Sequence, residues 1–318
     1  MQKILVTIPV KDRHKALLNE TAAGLSATVT YKGAAFVTAE DVKAADAVIG
    51  ALPTELLAGC PQLKWVQLSS AGAAEYTKPG VLPDTCVLTN AAGAYGTAVS
   101  EHMLALTFAL IRRFGQYGRN QVAHEWKHMG KIISVEDAVV LILGLGDIGG
   151  SYARKVKALG AYTIGLKRSA GEKPAYLDEQ YTIDRLDEML PRADIVAMVL
   201  PGLPDTTHIM NEARLRLMKK GAYLINVGRG NAIDPDALKS ALISGQLGGA
   251  GLDVTEPEPL PADDPLWDFG NVIITPHAAG WFYLEKTLDN IVAIANENLR
   301  AYLTGGTFVH VVDKKMGY

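Results

Sequence analysis

Three side chains suited to acid–base chemistry follow apolar runs in the last third of the chain. Arg229 lies two residues after the run 224–227, Glu258 lies in a proline-rich segment, and His277 comes shortly after the run 272–274. An arginine guanidinium can bind a carboxylate as a rigid fork and can polarise a carbonyl group. An imidazole can give and take a proton near neutral pH, and a carboxylate can orient it. Together these residue types could bind a small acid and move a proton on it.

Each of the three residues also has a purely structural interpretation. Arg229 could contact a phosphate or a carbonyl group, Glu258 could be a solvated loop acid, and His277 could be a satisfied histidine at a strand end. A single histidine of this kind is more often structural than catalytic. The occurrence of all three in one chain, after a glycine-rich loop at 144–149, favours the catalytic interpretation.

That loop follows the apolar run 139–143 and reads Gly144-Leu145-Gly146-Asp147-Ile148-Gly149. Gly144 permits a tight turn, Gly146 lets a pyrophosphate approach the backbone, and Gly149 lets the next helix pack closely on the strand. The N-terminus of that helix offers free N–H groups to phosphate. The motif alone is weak, because glycines cluster in many unrelated loops. A strand before it and a helix after it predict a dinucleotide site.

The residues after the next predicted strand bear on the choice of cofactor. NAD-binding proteins usually place an acidic residue there, about 20 positions after the glycines, to bind the ribose hydroxyls. This chain has Lys167, Arg168 and Ser169 instead. Two cations and a hydroxyl suit a 2′-phosphate. The sequence therefore favours NADP over NAD, with a solvated basic turn as the alternative.

The elements that must position these residues follow the rhythm of an α/β fold. Short β-branched runs alternate with helical patterns, which is typical of parallel βαβ units. The predicted strands are Lys3–Ile8, Ala45–Ile49, Leu63–Leu68, Cys86–Thr89, Ala138–Leu143, Tyr162–Leu166, Ile195–Leu200, Ala222–Val227, Gly248–Leu252 and Val272–Ile274.

Three further segments define the expected domain organisation. A helix over 99–117 is apolar on most sides, which indicates burial at a domain junction or a subunit interface. A polar arm over 119–136 follows it, and an amphipathic helix over 284–303 closes the chain. We expect one domain at 100–283, and a second, discontinuous domain formed by 1–99 plus 284–318.

Composition excludes several classes of protein. The 318 residues carry 31 basic and 34 acidic side chains, a net charge of -3 that argues against nucleic acid or an anionic membrane as partner. No apolar stretch approaches the ~18 residues of a membrane span. The apolar run 4–8 is too short for a signal peptide and predicts a buried strand. Cys60 and Cys86 form neither a disulfide framework nor a metal cluster, so a cytoplasmic location is expected.

Taken together, the motifs resemble the D-isomer-specific 2-hydroxyacid dehydrogenases over essentially the whole chain. The resemblance rests on Ser69-Ser70-Ala71-Gly72, on Asn90-Ala91-Ala92-Gly93 with Glu101 and His102, on Leu200-Pro201-Gly202-Leu203-Pro204 with Thr206 and His208, and on the segments of Arg229, Glu258 and His277.

This resemblance implies a Rossmann-type dinucleotide-binding domain and a discontinuous, flavodoxin-like substrate domain. Arg229 is expected to bind the carboxylate of a 2-oxo acid and to polarise its carbonyl group. His277 is expected to be the acid in reduction and the base in oxidation, with Glu258 fixing its tautomer. The backbone amides of Ala71 and Gly72 are expected to bind the substrate carboxylate, and the cleft between the domains to close over it.

The resemblance also implies a set of cofactor contacts and no metal. Asp253 is expected to hold the nicotinamide amide, and His208 to lie near a cofactor phosphate, although Asp205 and Thr206 beside it could equally be turn residues. The histidines other than His277 are expected to have no comparable setting; they are His14, His102, His124, His128, His208 and His310. The expected contacts are Gly144, Gly146, Asp147, Ile148, Gly149, Lys167, Arg168, Ser169, Pro201, Thr206, Val227, Gly228, Asp253 and Gly280.

The expected activity is NADPH-dependent reduction of a short 2-oxo acid such as glyoxylate or hydroxypyruvate. The interpretation as a phosphoglycerate dehydrogenase is weakened because no regulatory domain is expected after Tyr318. A formate dehydrogenase is disfavoured because formate members of the family carry an amide in place of Glu258. A dinucleotide-sensing regulator or corepressor on the same fold is the alternative from another class. A homodimer through 99–117 and 119–136 is expected. Trp281, Phe282 and Tyr283 stand where relatives have small hydroxyl residues, and could cap the substrate pocket or pack in an interface.

Overall fold

The computed structural model describes residues 1–317, and Tyr318, the last residue of the expected segment 284–318, lies outside the described residues. The chain divides into two compact units. Met1–Tyr95 and the segment that starts at Phe282 form what we call the discontinuous unit. Gly96–Trp281 form the central unit. The sequence placed the two divisions at 99/100 and 283/284.

All strands described in the two units belong to two parallel sheets. The discontinuous unit contains β1 (Gln2–Val6), β2 (Ala27–Tyr31), β3 (Ala47–Ile49), β4 (Trp65–Gln67) and β5 (Val87–Thr89). The central unit contains β6 (Val139–Leu143), β7 (Tyr162–Lys167), β8 (Glu179–Thr182), β9 (Ile195–Met198), β10 (Ala222–Asn226), β11 (Leu247–Leu252) and β12 (Val272–Ile274).

The helices connect these strands. They are α1 (Asp12–Ala23), α2 (Ala39–Lys43), α3 (Thr54–Leu57), α4 (Gly96–Ile111), α5 (Phe114–Val122), α6 (Asp147–Ala158), α7 (Leu186–Met189), α8 (Glu212–Leu217), α9 (Pro235–Ile243) and α10 (Glu285–Thr304). Short 3₁₀ turns occupy Ala34–Phe36, Ala74–Thr77, Ile183–Arg185, Leu190–Arg192, Pro204–Thr206, Gly230–Ala232 and Pro265–Asp268. Within residues 1–317, no helix has both the length and the apolar character needed to cross a membrane.

The discontinuous unit has the strand order β2-β1-β3-β4-β5, which is the flavodoxin-like order. Val48 and Val66 on the central strands are fully buried, and they belong to one apolar cluster with residues of the surrounding helices. The last helix, α10, packs against α1 within this unit. The expected flavodoxin-like fold is confirmed.

The central unit has the strand order β12-β11-β10-β9-β6-β7-β8, with all neighbours parallel. The order reverses between β6 and β9, and open α/β sheets bind ligands beyond the carboxyl ends of their strands at such a switch point. Helices cover both faces of a sheet of this kind, which explains why the run 140–143 is entirely buried. The expected Rossmann-type fold is confirmed.

Two strands were not predicted from the sequence. In β2, Thr28 and Thr30 are exposed and the strand lies at an edge of its sheet. In β8, the residues Glu-Gln-Tyr-Thr are all half-buried, and this strand is also an edge. Edge strands bury less surface than central ones, so they lack the apolar run that marked the others.

The single helix expected over 99–117 is wrong. The chain forms α4 and α5, separated by Arg113, whose φ of 61° is left-handed and ends the helical ladder. The Arg113 side chain donates from Nε to the carbonyl of Lys131 at 3.0 Å, a tertiary contact that sequence periodicity does not reveal. The second helix, α5, takes in the first residues of the expected arm. Burial of α4 is as expected, since it packs on α6 and on β10, β11 and β12.

Candidate active site

The glycine loop between β6 and α6 is shaped by close backbone contacts. Gly144 has a φ of +97°, a conformation that favours glycine. A Cβ atom on Gly149 would lie 1.9 Å from the carbonyl oxygen of Gly144, so a side chain there would push α6 away from β6. Gly146 is the N-cap residue of α6, and no side chain caps the helix there. A Cβ atom on Gly146 would meet nothing within 4 Å. The open approach and the free N–H groups of the first helical turn fit a dinucleotide pyrophosphate.

Asp147 and Ile148 lie in the first turn of α6, and the first residue of α4 lies against this turn. A Cβ atom on Gly96, the first residue of α4, would lie 2.2 Å from Oδ1 of Asp147. Farther along the two helices, Lys155 donates to Oγ of Ser100 at 2.8 Å. The start of α4 therefore holds the helix whose N-terminus faces the loop.

The basic segment predicted to select the cofactor lies at the end of β7. Lys167 is the last residue of the strand, and Arg168 and Ser169 are exposed in the loop that follows. The Lys167 ammonium lies beside Gly171, where a Cβ atom would come within 2.5 Å of Nζ. Gln180 donates to the carbonyl of Gly171 at 2.8 Å, which ties this loop to the sheet edge.

The loops after β9 and β10 meet through backbone contacts. Thr206 donates from Oγ1 to the carbonyl of Pro201 at 2.6 Å and accepts from the amide of Leu203 at 2.9 Å, so its hydroxyl closes the loop as a turn residue. Val227 donates to the carbonyl of Met198 at 3.2 Å. A Cβ atom on Gly228 would lie 2.5 Å from the carbonyl oxygen of Leu200, so this glycine lets the loops approach.

Arg229 is held by Asn226 at the end of β10. Nδ2 of Asn226 donates to the Arg229 carbonyl at 2.8 Å, and Oδ1 accepts from the Gly228 amide at 3.0 Å. The guanidinium donates to the carbonyl of Gly228 from Nη1 at 2.7 Å. In the described part of the chain, no carboxylate forms an ion pair with Arg229. Its remaining N–H donors are therefore available to an anionic ligand.

His277 is fixed on three sides. Its Nδ1 lies 2.6 Å from Oε1 of Glu258, its amide donates to the carbonyl of Asp253 at 2.8 Å, and its carbonyl accepts from Nε1 of Trp281 at 2.7 Å. Its φ is 50°, a left-handed value. The structure thus brings Glu258 and His277 together, and pairing through Nδ1 directs Nε2 away from Glu258.

Asp253 is the buried centre of the turn that carries His277. It is 2% exposed, and its Oδ1 accepts from Oγ1 of Thr275 at 2.6 Å and from the Ala278 amide at 2.9 Å. Its Oδ2 accepts from the Ala279 amide at 3.2 Å, and Gly280 follows directly. The carboxylate therefore organises the turn, while Oδ2 keeps capacity for a further donor.

The predicted substrate loop lies in the discontinuous unit, and its four consecutive carbonyl groups are all hydrogen-bonded. The carbonyl of Ser69 accepts from the Tyr95 hydroxyl, and that of Ser70 accepts from the Ala91 amide. The carbonyl of Ala71 accepts from Nδ2 of Asn90, and that of Gly72 accepts from Oγ of Ser70. Burial raises the pKa of Tyr95 to about 12, so its hydroxyl remains a donor well above neutral pH. Within residues 1–317 the amides of Ala71 and Gly72 have no acceptor, and adjacent free amides suit an anion.

The expectation that the histidines other than His277 have no comparable setting is wrong for His14, His102 and His208. His208 lies 2.7 Å from Glu256, His14 lies 2.7 Å from Asp289, and His102 lies 2.9 Å from Oγ1 of Thr275. The partners are 48, 275 and 173 residues away along the chain, so no local pattern signals them. Two residues hold the substrate loop: Asn90 was named in a sequence motif without a role, and Tyr95 was not identified. In residues 1–317, no three acidic, histidine or cysteine side chains cluster as a metal site.

Comparison with known proteins agrees with this architecture. The family model described as "D-isomer specific 2-hydroxyacid dehydrogenase, NAD binding domain" matches residues 104–279. The glyoxylate reductase of Korarchaeum cryptofilum is 32% identical over 294 residues, which cover 87% of this chain and 85% of that protein.

Solved structures extend the similarity to the whole chain. A D-isomer specific 2-hydroxyacid dehydrogenase family protein from Aeromonas salmonicida has a TM-score of 0.86 and 30% identity, covering 98% of this chain and 99% of that one. The NADPH-dependent glyoxylate/hydroxypyruvate reductase of Sinorhizobium meliloti, solved with NADP and sulfate, has a TM-score of 0.83 and 27% identity, covering 100% of both.

A Rossmann-type sheet with an NAD-binding domain, in a chain so similar to these enzymes, defines an NAD(P)-dependent oxidoreductase. The chain belongs to the D-isomer-specific 2-hydroxyacid dehydrogenase family.

Proposed function

We propose that this chain reduces a short 2-oxo acid of the glyoxylate or hydroxypyruvate type to the D-2-hydroxy acid, with NADPH as the preferred reductant. The observation that carries the proposal is the 2.6 Å contact between His277 and Glu258 at the end of a Rossmann-type sheet. The reductases of Korarchaeum cryptofilum and Sinorhizobium meliloti support the choice of substrate class.

We propose that two groups bind and activate the substrate. The free amides of Ala71 and Gly72 accept the carboxylate. The Arg229 guanidinium also binds the acid and polarises its carbonyl oxygen, because its donors meet no carboxylate in the described chain. When bound, the reduced nicotinamide supplies a hydride to the carbonyl carbon of the substrate.

His277 then completes the reduction by proton transfer. Glu258 accepts the Nδ1–H, so the proton that reaches the substrate oxygen leaves from Nε2. The imidazolium becomes neutral as the alkoxide becomes the hydroxyl of the 2-hydroxy acid. In the reverse direction Nε2 takes this proton back. Asp253 holds the turn beneath His277, and we propose that its Oδ2 receives the nicotinamide amide.

The preference for NADPH is proposed from the end of β7. Lys167, Arg168 and Ser169 replace the acid that would repel a 2′-phosphate, and a guanidinium can bind that phosphate with two charge-assisted hydrogen bonds. The remaining expected contacts are proposed to line the rest of the dinucleotide: the glycine loop with Asp147 and Ile148, then Pro201, Thr206, Val227, Gly228 and Gly280.

We also propose a homodimer through the expected surface over 99–117 and 119–136. Within the central unit, Phe114 is 60% exposed, Val122 85% and Trp126 100%, all on α5 or the segment after it. Apolar side chains concentrated in this way mark an interaction surface. Sedimentation should show a dimer that Trp126→Ser weakens. A monomer at micromolar concentration would contradict the proposal.

A cytoplasmic location is proposed from the thiols. Cys60 and Cys86 are both free and buried, as in proteins of a reducing compartment. Burial raises the pKa of Cys86 to about 11, so its thiol is unreactive at neutral pH.

The test is the oxidation of NADPH and NADH with glyoxylate, hydroxypyruvate, pyruvate and phenylpyruvate. We expect turnover with NADPH preferred, fastest with glyoxylate and hydroxypyruvate. Arg168→Ala should lower kcat/KM for NADPH about tenfold to a hundredfold and leave that for NADH unchanged, because only NADPH carries the extra phosphate.

Lys173→Gln is the matched control for that variant. It removes a cation of the same loop, but its ammonium is already bound to the carbonyl of Leu177 at 2.6 Å, so the cofactor preference should not move. Equal use of NADH and NADPH by the unaltered chain would refute the cofactor proposal. Tight dinucleotide binding without turnover of any acid would favour a dinucleotide-sensing regulator.

A further inference from the structure

A line of three hydrogen-bonded side chains runs from α4 to the turn that carries His277. Nε2 of His102 lies 2.9 Å from Oγ1 of Thr275, and Oγ1 of Thr275 lies 2.6 Å from Oδ1 of Asp253. All of these residues belong to the central unit. His102 is half-buried and Asp253 is buried, so the line lies largely out of solvent.

The directions of these hydrogen bonds follow from the inventory of donors. Oδ1 of Asp253 also receives the Ala278 amide at 2.9 Å, so this carboxylate is an acceptor. The one hydrogen of the Thr275 hydroxyl is therefore donated to Asp253. Thr275 can then only accept from His102, which requires a proton on Nε2 of His102.

Asp253 connects these three side chains with the backbone of the turn that carries His277. Its carboxylate binds the amides of Ala278 and Ala279, and its own carbonyl binds the amide of His277 at 2.8 Å. His277 sits at a φ of 50°, a left-handed value that is uncommon for residues with a Cβ atom. The hydrogen bonds of Asp253 hold the backbone on which this conformation occurs.

We propose that His102 and Thr275 are positioning residues for His277, and that they act through Asp253. The inference rests on the proposed function, in which Nε2 of His277 transfers the proton. Without the donors of His102 and Thr275, the Asp253 carboxylate can rotate, and the turn that aims the imidazole loosens. Misplacement of a reacting group by about 1 Å can lower a rate about a hundredfold.

The first experiment compares disruptive and conservative variants at each position. Thr275→Val removes the hydroxyl at nearly constant volume, and Thr275→Ser retains it. His102→Leu removes the donor, and the amide of His102→Gln can replace it. We expect both disruptive variants to lower kcat about tenfold or more. KM for the 2-oxo acid should stay within about twofold, because Arg229 is untouched. Both conservative variants should recover most of kcat.

The second experiment repeats the disruptive changes in the background of His277→Ala. If His102 and Thr275 act through His277, neither change lowers the residual turnover further. Losses that multiply independently in this background would overturn the proposal, as would changes confined to KM. Unfolding temperature and far-UV circular dichroism identify a variant that fails to fold, and if Thr275→Val does so, His102→Leu decides the outcome. If the unaltered chain reduces no 2-oxo acid, the proposed function fails, and this inference fails with it.

Discussion

The central unit contains two histidine–glutamate pairs that look almost alike. His277 lies 2.6 Å from Glu258, with side chains 46% and 41% exposed. His208 lies 2.7 Å from Glu256, with side chains 42% and 38% exposed. Both histidines have left-handed backbones, with φ values of 50° and 47°. By distance, exposure and backbone geometry, the two pairs cannot be told apart.

The pairs differ in which ring nitrogen meets the carboxylate and in what holds the backbone. His277 pairs through Nδ1, which leaves the distal Nε2 to reach a ligand, whereas His208 pairs through Nε2. His277 follows β12 with its amide and carbonyl both bound to the protein. His208 follows a 3₁₀ turn, and its amide binds the carbonyl of Asn231 at 2.7 Å. A carboxylate partner alone therefore does not mark a catalytic histidine, because the nitrogen left over decides what it can do.

The largest expected effect separates the two histidines themselves. His277→Ala should lower kcat about a hundredfold to ten thousandfold, because it removes the group that transfers the proton. His208→Ala, the matched control, should stay within about threefold of the unaltered chain. Steady-state kinetics at saturating NADPH would measure both. A larger loss in His208→Ala than in His277→Ala would reverse the assignment.

The two glutamates give the next contrast. Glu258→Gln keeps an oxygen beside Nδ1 of His277 but removes the charge that stabilises the imidazolium. We expect kcat to fall about tenfold to a hundredfold. Glu256→Gln, two residues away, should change kcat by no more than about threefold. Equal losses in the two variants would show that the carboxylates share one role.

These contrasts also show where sequence reasoning succeeds. Central strands such as β6 are buried on both faces, so their apolar runs and the glycine motif after them mark fold and dinucleotide loop together. Edge strand β8 buries less and carries polar residues, and the helix break at Arg113 depends on a contact with Lys131. The pair of His208 and Glu256 lies 48 residues apart in sequence, so only tertiary structure reveals it.

Substitution of two tryptophans would test whether Trp281 supports the backbone of His277. Nε1 of Trp281 donates to the carbonyl of His277 at 2.7 Å, and Nε1 of Trp267 donates to the carbonyl of Pro261 at 2.8 Å. Trp281→Phe should lower kcat about twofold to tenfold, the range set by one neutral hydrogen bond. Trp267→Phe should leave kcat unchanged. No difference between the two variants would remove Trp281 from the positioning of His277.

Glu179 is an acid that pairs with Arg192 and is expected to affect stability and not turnover. Arg192 holds the pKa of Glu179 at about 2, below its usual 4.5, with help from Tyr181 and Tyr162. Because the pKa is lower in the folded state, Glu179 stabilises the fold above about pH 4.5, and this contribution is lost as the pH falls towards 2. We expect Glu179→Gln to cost about 1–2 kcal/mol at pH 7 after solvent screening, and to weaken the acid dependence of unfolding.

Denaturant unfolding at pH 7 and pH 3 would measure this dependence, and turnover at pH 7 should not change. A stability loss in Glu179→Gln that is the same at both pH values would contradict the assigned role of the ion pair.

The left-handed backbone at His277 gives this position an evolutionary bias. A residue with a Cβ atom pays about 1 kcal/mol or more for that conformation, and glycine does not. Backbone conformation alone would therefore favour glycine at position 277, and selection for turnover favours histidine. In a gene copy released from that selection, replacement of His277 by glycine would relieve the backbone, while the hydrogen bonds that Asp253 makes to the turn would remain.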